Sequence, residues 1–136
     1  MPMILILTKN SDKMRIVVLI GIGSFIGGVL RYLTALFVQS KFLSTYPFGT
    51  LTVNILGSLI IGIVFGLTDK FNLSPEWRLF LATGICGGFT TFSAFSLETM
   101  SMLQEGQYLY GISYITLSIL FGLLAVFLGM TLIKLV

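Results

Sequence analysis

Between Gly84 and Glu98 the chain reads GICGGFTTFSAFSLE, and these residues carry most of its possible chemistry. The adjacent glycines Gly87 and Gly88, followed by Phe89 and the β-branched pair Thr90 and Thr91, make a poor helix interior, so a break is expected there. A break in hydrocarbon frees backbone carbonyls, which are tolerated only when buried in protein or lining a cavity. Such carbonyls are hard oxygen ligands that suit a small cation. The alternative is a glycine-rich packing kink with no ligand. Phe92 and Phe95 are three apart and share a face, with Ser93 and Ser96 on a neighbouring one. Aromatic edges carry partial positive charge and can face an anion; phenylalanines that merely pack are the plainer reading. Glu98 follows about three turns after the glycines. A carboxylate inside an apolar span is either a functional group or a residue at the water boundary.

The elements that hold these residues follow from composition. Of 136 residues, 56% are hydrophobic and 10% charged, and the mean hydropathy is +1.03, which excludes a soluble domain. A bilayer core of roughly 30 Å needs about 20 helical residues. Four stretches qualify: about 16–38, 47–68, 77–102 and 108–133. The expected fold is therefore all-α, a single four-helix transmembrane domain over 1–136 with a broken third helix. The connections, QSKFLSTY, DKFNLSPE and LQEGQ, are short, so function must lie within the bundle. Lys9, Lys13 and Arg15 precede an apolar run that is too long for a signal peptide, and the run reads as a retained first helix.

Charge sets orientation and excludes classes. The net charge is +3, but the basic residues are scattered at helix ends and read as membrane anchors, not as a nucleic-acid surface. With four spans, Lys9, Lys13, Arg15, Lys70, Arg78 and Lys134 fall on the side of the termini, against Lys41 on the other. The positive-inside rule places that side in the cytoplasm. Cys86 is the lone cysteine and reads as a small packing residue. There is no histidine and hence no Asp–His pair, which argues against an intramembrane enzyme.

The other spans supply polar groups. In the first, Gly23 and Gly27, and likewise Ser24 and Gly28, form small-xxx-small pairs that let another backbone approach. Arg31 lies in the same span and serves either as a snorkelling anchor or as an attractor of anions. In the second, steps of four from Thr50 meet Asn54, Ser58, Gly62 and Gly66, giving one small and polar face. Asn54 alone would read as an interhelical hydrogen bond; its alignment with hydroxyls and glycines favours a narrow polar pathway. The fourth carries Tyr114 and Ser118 one turn apart, then Gly122. Tyr108 and Tyr110 read as interfacial belt residues, and Thr116 as bonded to its own backbone.

GGVLRYL, GTLTVNILGS and above all GICGGFTTFSAFSLE closely resemble the Fluc fluoride channels, also called the CrcB-like family, over roughly Gly21 to Thr131. The resemblance implies an antiparallel, dual-topology dimer of four-helix subunits in the cell membrane, with two fluoride pores and passive, gradient-driven fluoride export. It implies a structural sodium ion at the dimer centre, held by two backbone carbonyls per subunit, those of Gly87 and Thr90. Phe92 and Phe95 correspond to an aromatic pair lining the pores and Asn54 to a conduction-path amide. Thr91, Ser93, Tyr114 and Ser118 correspond to polar pathway groups, Glu98 to a third-helix glutamate and Arg31 to a first-helix arginine. Two features depart from the pattern. The polar track on the fourth helix thins after Ser118, where Gly122 and Val126 follow. The six-to-one charge bias sits poorly with insertion both ways, so a homodimer is expected and a heterodimer with an oppositely biased partner is the alternative. A small dual-topology multidrug-type transporter shares the four-span size, but resemblance to that class calls for a glutamate in the first span, where only Arg31 stands.

Overall fold

The computed structural model describes residues 10–135; Lys9 lies outside them. Helix α1 spans Asn10–Gln39 and α2 spans Phe48–Phe71. The third span begins as α3, Pro75–Arg78, continues as a π-helix over Leu79–Cys86, and closes as α4, Gly87–Phe89. After a two-residue break it resumes as α5, Phe92–Gln104, and the fourth span is α6, Tyr108–Leu135. Among the described residues there is no strand, and four helical segments are long and apolar enough to cross a bilayer.

The ends are set by local chemistry. Pro75 occupies the first turn of α3, where no helical amide is needed, and Ser74 Oγ accepts from the Trp77 amide. Gly106, at φ +76°, ends α5. Its amide donates to Leu103 O at 3.1 Å and that of Gln107 to Met102 O at 2.8 Å, the two bonds of a Schellman turn. At the other end of α5, Thr91 is the N-cap: its Oγ1 accepts from the Ala94 amide at 3.2 Å.

Helix association in lipid rests on close van der Waals packing, and glycines permit it here. A Cβ on Gly23 would stand 2.9 Å from Gly84 Cα, and one on Gly27 would collide with Ile85 O. Helix α1 therefore packs backbone to backbone against the π-wound segment. Ser24 joins that contact opposite Gly88, whereas a Cβ on Gly28 would meet nothing within 4 Å. The expected Ser24–Gly28 pair is thus half used, because Gly28 has turned off the contact face.

The α2 face divides likewise. A Cβ on Gly62 would strike Val126 O, and Gly129 of α6 sits against Leu59 and Ile63 of α2. The Gly62 and Gly66 half of the stripe is packing surface for α6, not pathway. Only Thr50, Asn54 and Ser58 keep polar work.

Two contacts pair the helix ends. Arg15 meets Glu76 at 3.5 Å and Lys70 Nζ donates to Ile133 O at 3.3 Å, so the start of α1, the end of α2, the start of α3 and the end of α6 share one side. At the other side Tyr46 stacks edge-on with Tyr110 and Tyr114, at 5.8 and 5.7 Å. Tyr108 and Tyr110 are exposed there, as interfacial residues are. Cys86 is buried, and Thr116 Oγ1 bonds to Ile112 O at 2.9 Å.

Candidate functional site

The break falls within the expected stretch, Gly87–Thr91, and specifically at Thr90 and Thr91. Gly87 and Gly88 remain helical, whereas Thr90 (φ −86°, ψ 158°) and Thr91 (φ −149°, ψ 112°) are extended. β-Branched residues favour extended backbone over helix, so the hydroxyl pair, not the glycine pair, carries the interruption.

Asn54 closes it. Its Oδ1 accepts from the Thr91 amide at 2.8 Å and its Nδ2 donates to Thr91 O at 3.1 Å. The side-chain amide pairs with the chain as a neighbouring strand would, satisfying both backbone groups of Thr91. Asn54 stands about two turns into α2, halfway between its start and its middle. One Nδ2 hydrogen remains for another acceptor.

The break frees the carbonyls of residues 87–90, which the amides of residues 91–94 would hold in a continuous helix, and two of those amides are diverted to side chains. In an unbroken helix the Thr91 amide would donate to Gly87 O and the Ala94 amide to Thr90 O. Here they donate to Asn54 Oδ1 and Thr91 Oγ1. Gly87 and Thr90 are therefore the residues whose carbonyls lose their helical donors to side chains. Gly87 is also exposed, and a Cβ there would meet only Ala82 O, at 3.8 Å. Among the described residues no group of three or more His, Cys, Asp or Glu could hold a metal ion.

Two grooves flank the clamp. One, of about 410 Å³, is lined by Asn54, Ser58, Thr91, Phe92, Phe95 and Ser118, and reaches Gly87 and Thr90 at its edge. Phe92 is 80% exposed; its ring lies 5.7 Å from that of Phe95, inclined at 42°. Phe95 packs on Tyr114 at 5.1 Å. The second groove is lined by Arg31, Thr50, Thr91 and Ser93, with Thr91 Oγ1 and Ser93 Oγ 3.3 Å apart. Asn54, Phe92, Phe95 and Ser118 thus line one surface and Arg31 and Ser93 another, with Thr91 on both.

Glu98 stands further along α5, facing a third groove beside Tyr32, Gln39 and Thr50. Thr50 Oγ1 donates to its Oε1 and Tyr114 OH to its Oε2, both at 2.7 Å. Tyr114 is fully buried, so its hydroxyl reaches the carboxylate from inside the bundle. Sequence reasoning missed Thr50 as a partner of Glu98. Its place at the head of the polar stripe was the available signal, but nothing local linked it to a residue 48 positions away. Gln39 was also missed: its Nε2 donates to Ser44 O and Tyr46 O, and its Oε1 accepts from the Gly49 amide at 3.1 Å.

The sequence pattern of the family described as CrcB-like protein, Camphor Resistance (CrcB), matches residues 18–130, which include every residue lining the clamp and the grooves named above. The chain belongs to the CrcB-like family. Similar proteins are the "Fluoride-specific ion channel FluC" of Leptospira interrogans serogroup Icterohaemorrhagiae serovar copenhageni (strain Fiocruz L1-130), 45% identical over 117 residues, covering 85% of this chain and 92% of the relative. Another, of the same name, comes from Flavobacterium psychrophilum, 44% identical over 122 residues, covering 89% and 98%. A third, also of that name, is from Bacteroides fragilis (strain YCH46), 46% identical over 119 residues, covering 85% and 94%. Like them in sequence and four-span in structure, this CrcB-like chain is a multi-pass membrane protein.

Proposed function

We propose that this CrcB-like chain is a subunit of a fluoride channel through which fluoride leaves the cell passively, down its electrochemical gradient. The observation that carries the reading is the Asn54 clamp on Thr91, which holds a helix break open beside a groove lined by Phe92, Phe95 and Ser118. Near-identity of names among relatives at about 45% identity supports the choice of anion.

Fluoride is small and strongly hydrated, so a path through hydrocarbon must replace water with close donors. The free Nδ2 hydrogen of Asn54 and the hydroxyls of Thr91, Ser93 and Ser118 are such donors. The ring edges of Phe92 and Phe95 carry partial positive charge and would attract the anion without the desolvation cost of a fixed ammonium. Tyr114 and Thr50 hold Glu98 in one position, which fixes the polar end of the path. Arg31 lies in the second groove, where a half-buried guanidinium raises the local anion concentration.

The structural sodium ion that the family resemblance implies fits the residues present, because the carbonyls of Gly87 and Thr90 have lost their helical donors and Gly87 is open to the outside of its own bundle. When bound it supplies a fixed positive charge with no titrating side chain. A second, antiparallel copy would contribute its own Gly87 and Thr90 to the same ion, and homodimer is the assembly proposed. The charge bias makes a heterodimer with an oppositely biased partner the rival assembly.

The test is anion efflux from liposomes containing the purified chain. Fluoride release with little chloride release is expected; no fluoride release overturns the reading.

A further inference from the structure

Ser58 stands one turn beyond Asn54 on α2 and lines the same groove, opposite Ser118 of α6. Ser118 Oγ is buried and has no hydrogen-bond partner among the described residues. A buried hydroxyl left without a partner is costly, and in a native structure it points to an acceptor that comes from elsewhere. One turn past Ser118, α6 offers Gly122, which has no side chain. A Cβ built there meets a single atom within 4 Å, Ser58 Oγ at 3.7 Å. The hydroxyl of Ser58 therefore lies in contact reach of the α6 position, one turn past Ser118, that carries no side chain.

We propose that Ser58 supplies the hydroxyl that α6 lacks at Gly122, so that Ser118 and Ser58 are consecutive donors to the anion and Ser58 determines specificity for a small one. The inference rests on the channel reading. A serine hydroxyl rotates freely and is both donor and acceptor, so one hydroxyl on each wall lets an ion pass from Ser118 to Ser58 without losing a donor. Small, strongly accepting anions gain most from two converging hydroxyls. The rival role for Ser58 is a local bond back to its own helix, which serines in membrane helices often make.

The experiment compares Ser58→Ala with the double variant Ser58→Ala/Gly122→Ser in fluoride and chloride efflux from liposomes. Ser58→Ala is expected to lower fluoride efflux about fivefold, which is the loss of roughly one net hydrogen bond, while the size-exclusion profile stays that of the wild type. The double variant returns a hydroxyl to the groove from α6, where the Gly122 position has room, and fluoride efflux should recover. Wild-type efflux in Ser58→Ala overturns the proposal, and so does a loss that Gly122→Ser fails to restore. Absence of fluoride efflux from the wild type overturns the channel reading itself, an outcome separate from either.

Discussion

Asn54 and Thr91 are joined by two antiparallel hydrogen bonds, amide to amide, at 2.8 and 3.1 Å. One side chain of α2 thereby serves as the missing helical partner of an extended residue in the third span. The same bond explains why the break is stable and why Gly87 O loses its helical donor, since in a continuous helix the Thr91 amide would donate to it.

Replacing Asn54 with Leu should damage the break as well as the path. It leaves the Thr91 amide and carbonyl unpaired in an apolar setting, at a cost of about 1–3 kcal/mol for each group. Asn54→Asp keeps the acceptor for the amide but sets an oxygen against Thr91 O. Thermal melts in detergent should rank wild type above both variants, with fluoride efflux lost in each. Equal melting temperatures for wild type and Asn54→Leu would mean that the clamp contributes nothing to the fold.

Thr50 and Tyr114 act on one carboxylate and so should not be independent. Thr50→Val or Tyr114→Phe alone leaves Glu98 one donor, while the double variant leaves it none among these two. The double variant should destabilise by more than the sum of the singles, with a coupling of about 1 kcal/mol. Additive melting shifts across the cycle would show that the hydroxyls serve Glu98 separately.

The freed carbonyls lead to a cation test that avoids side-chain ligands. Gly87→Val adds bulk where the chain's own atoms leave space, the nearest being Ala82 O at 3.8 Å, so the subunit should still fold. Wild-type protein should melt higher in sodium than in a large organic cation, by the linkage of ligand binding to stability. Thr90→Ser should keep that difference and Gly87→Val should lose it. A sodium-independent melt for the wild type would remove sodium from the proposal.

Much of this architecture was legible in the residues, for identifiable reasons. Hydropathy over about 20 residues places spans because the bilayer leaves few alternatives, and Gly23 and Gly27 announced a close contact that α1 makes with Gly84 and Gly88. The interruption of the third span was legible over Gly87–Thr91, and within that stretch Thr90 and Thr91 carry it while the glycines stay helical. The Thr91 cap, whose Oγ1 accepts from the Ala94 amide three residues on, is the local signal for where the helix resumes. The π winding of Leu79–Cys86 has no local signature in LFLATGIC. The pairing of Thr50 with Glu98, the capture of the 40–47 loop by Gln39 and the loss of Gly62 and Gly66 to packing all depend on which helix stands opposite. Periodicity describes one helix and cannot supply its neighbour.

Phe92 and Phe95 looked equivalent by spacing, yet their surroundings separate them. Phe92 is 80% exposed and its ring pairs with that of Phe95, whereas Phe95 also packs on Tyr114. Replacing either with Ile roughly conserves apolar volume and removes the ring quadrupole. For Phe92→Ile the stability of the subunit should change little, and fluoride efflux should fall about tenfold if the ring edge faces the anion, a difference of about 1.4 kcal/mol. For Phe95→Ile the aromatic contact with Tyr114 is lost as well, worth about 0.5–1.5 kcal/mol, and Tyr114 is the residue that holds Glu98 Oε2. That variant should therefore lose both efflux and melting temperature. Melting curves and liposome efflux on the two variants read these effects apart: efflux at the wild-type level in Phe92→Ile would return its ring to simple packing, and an unshifted melt in Phe95→Ile would show that the Tyr114 contact is not what fixes the carboxylate.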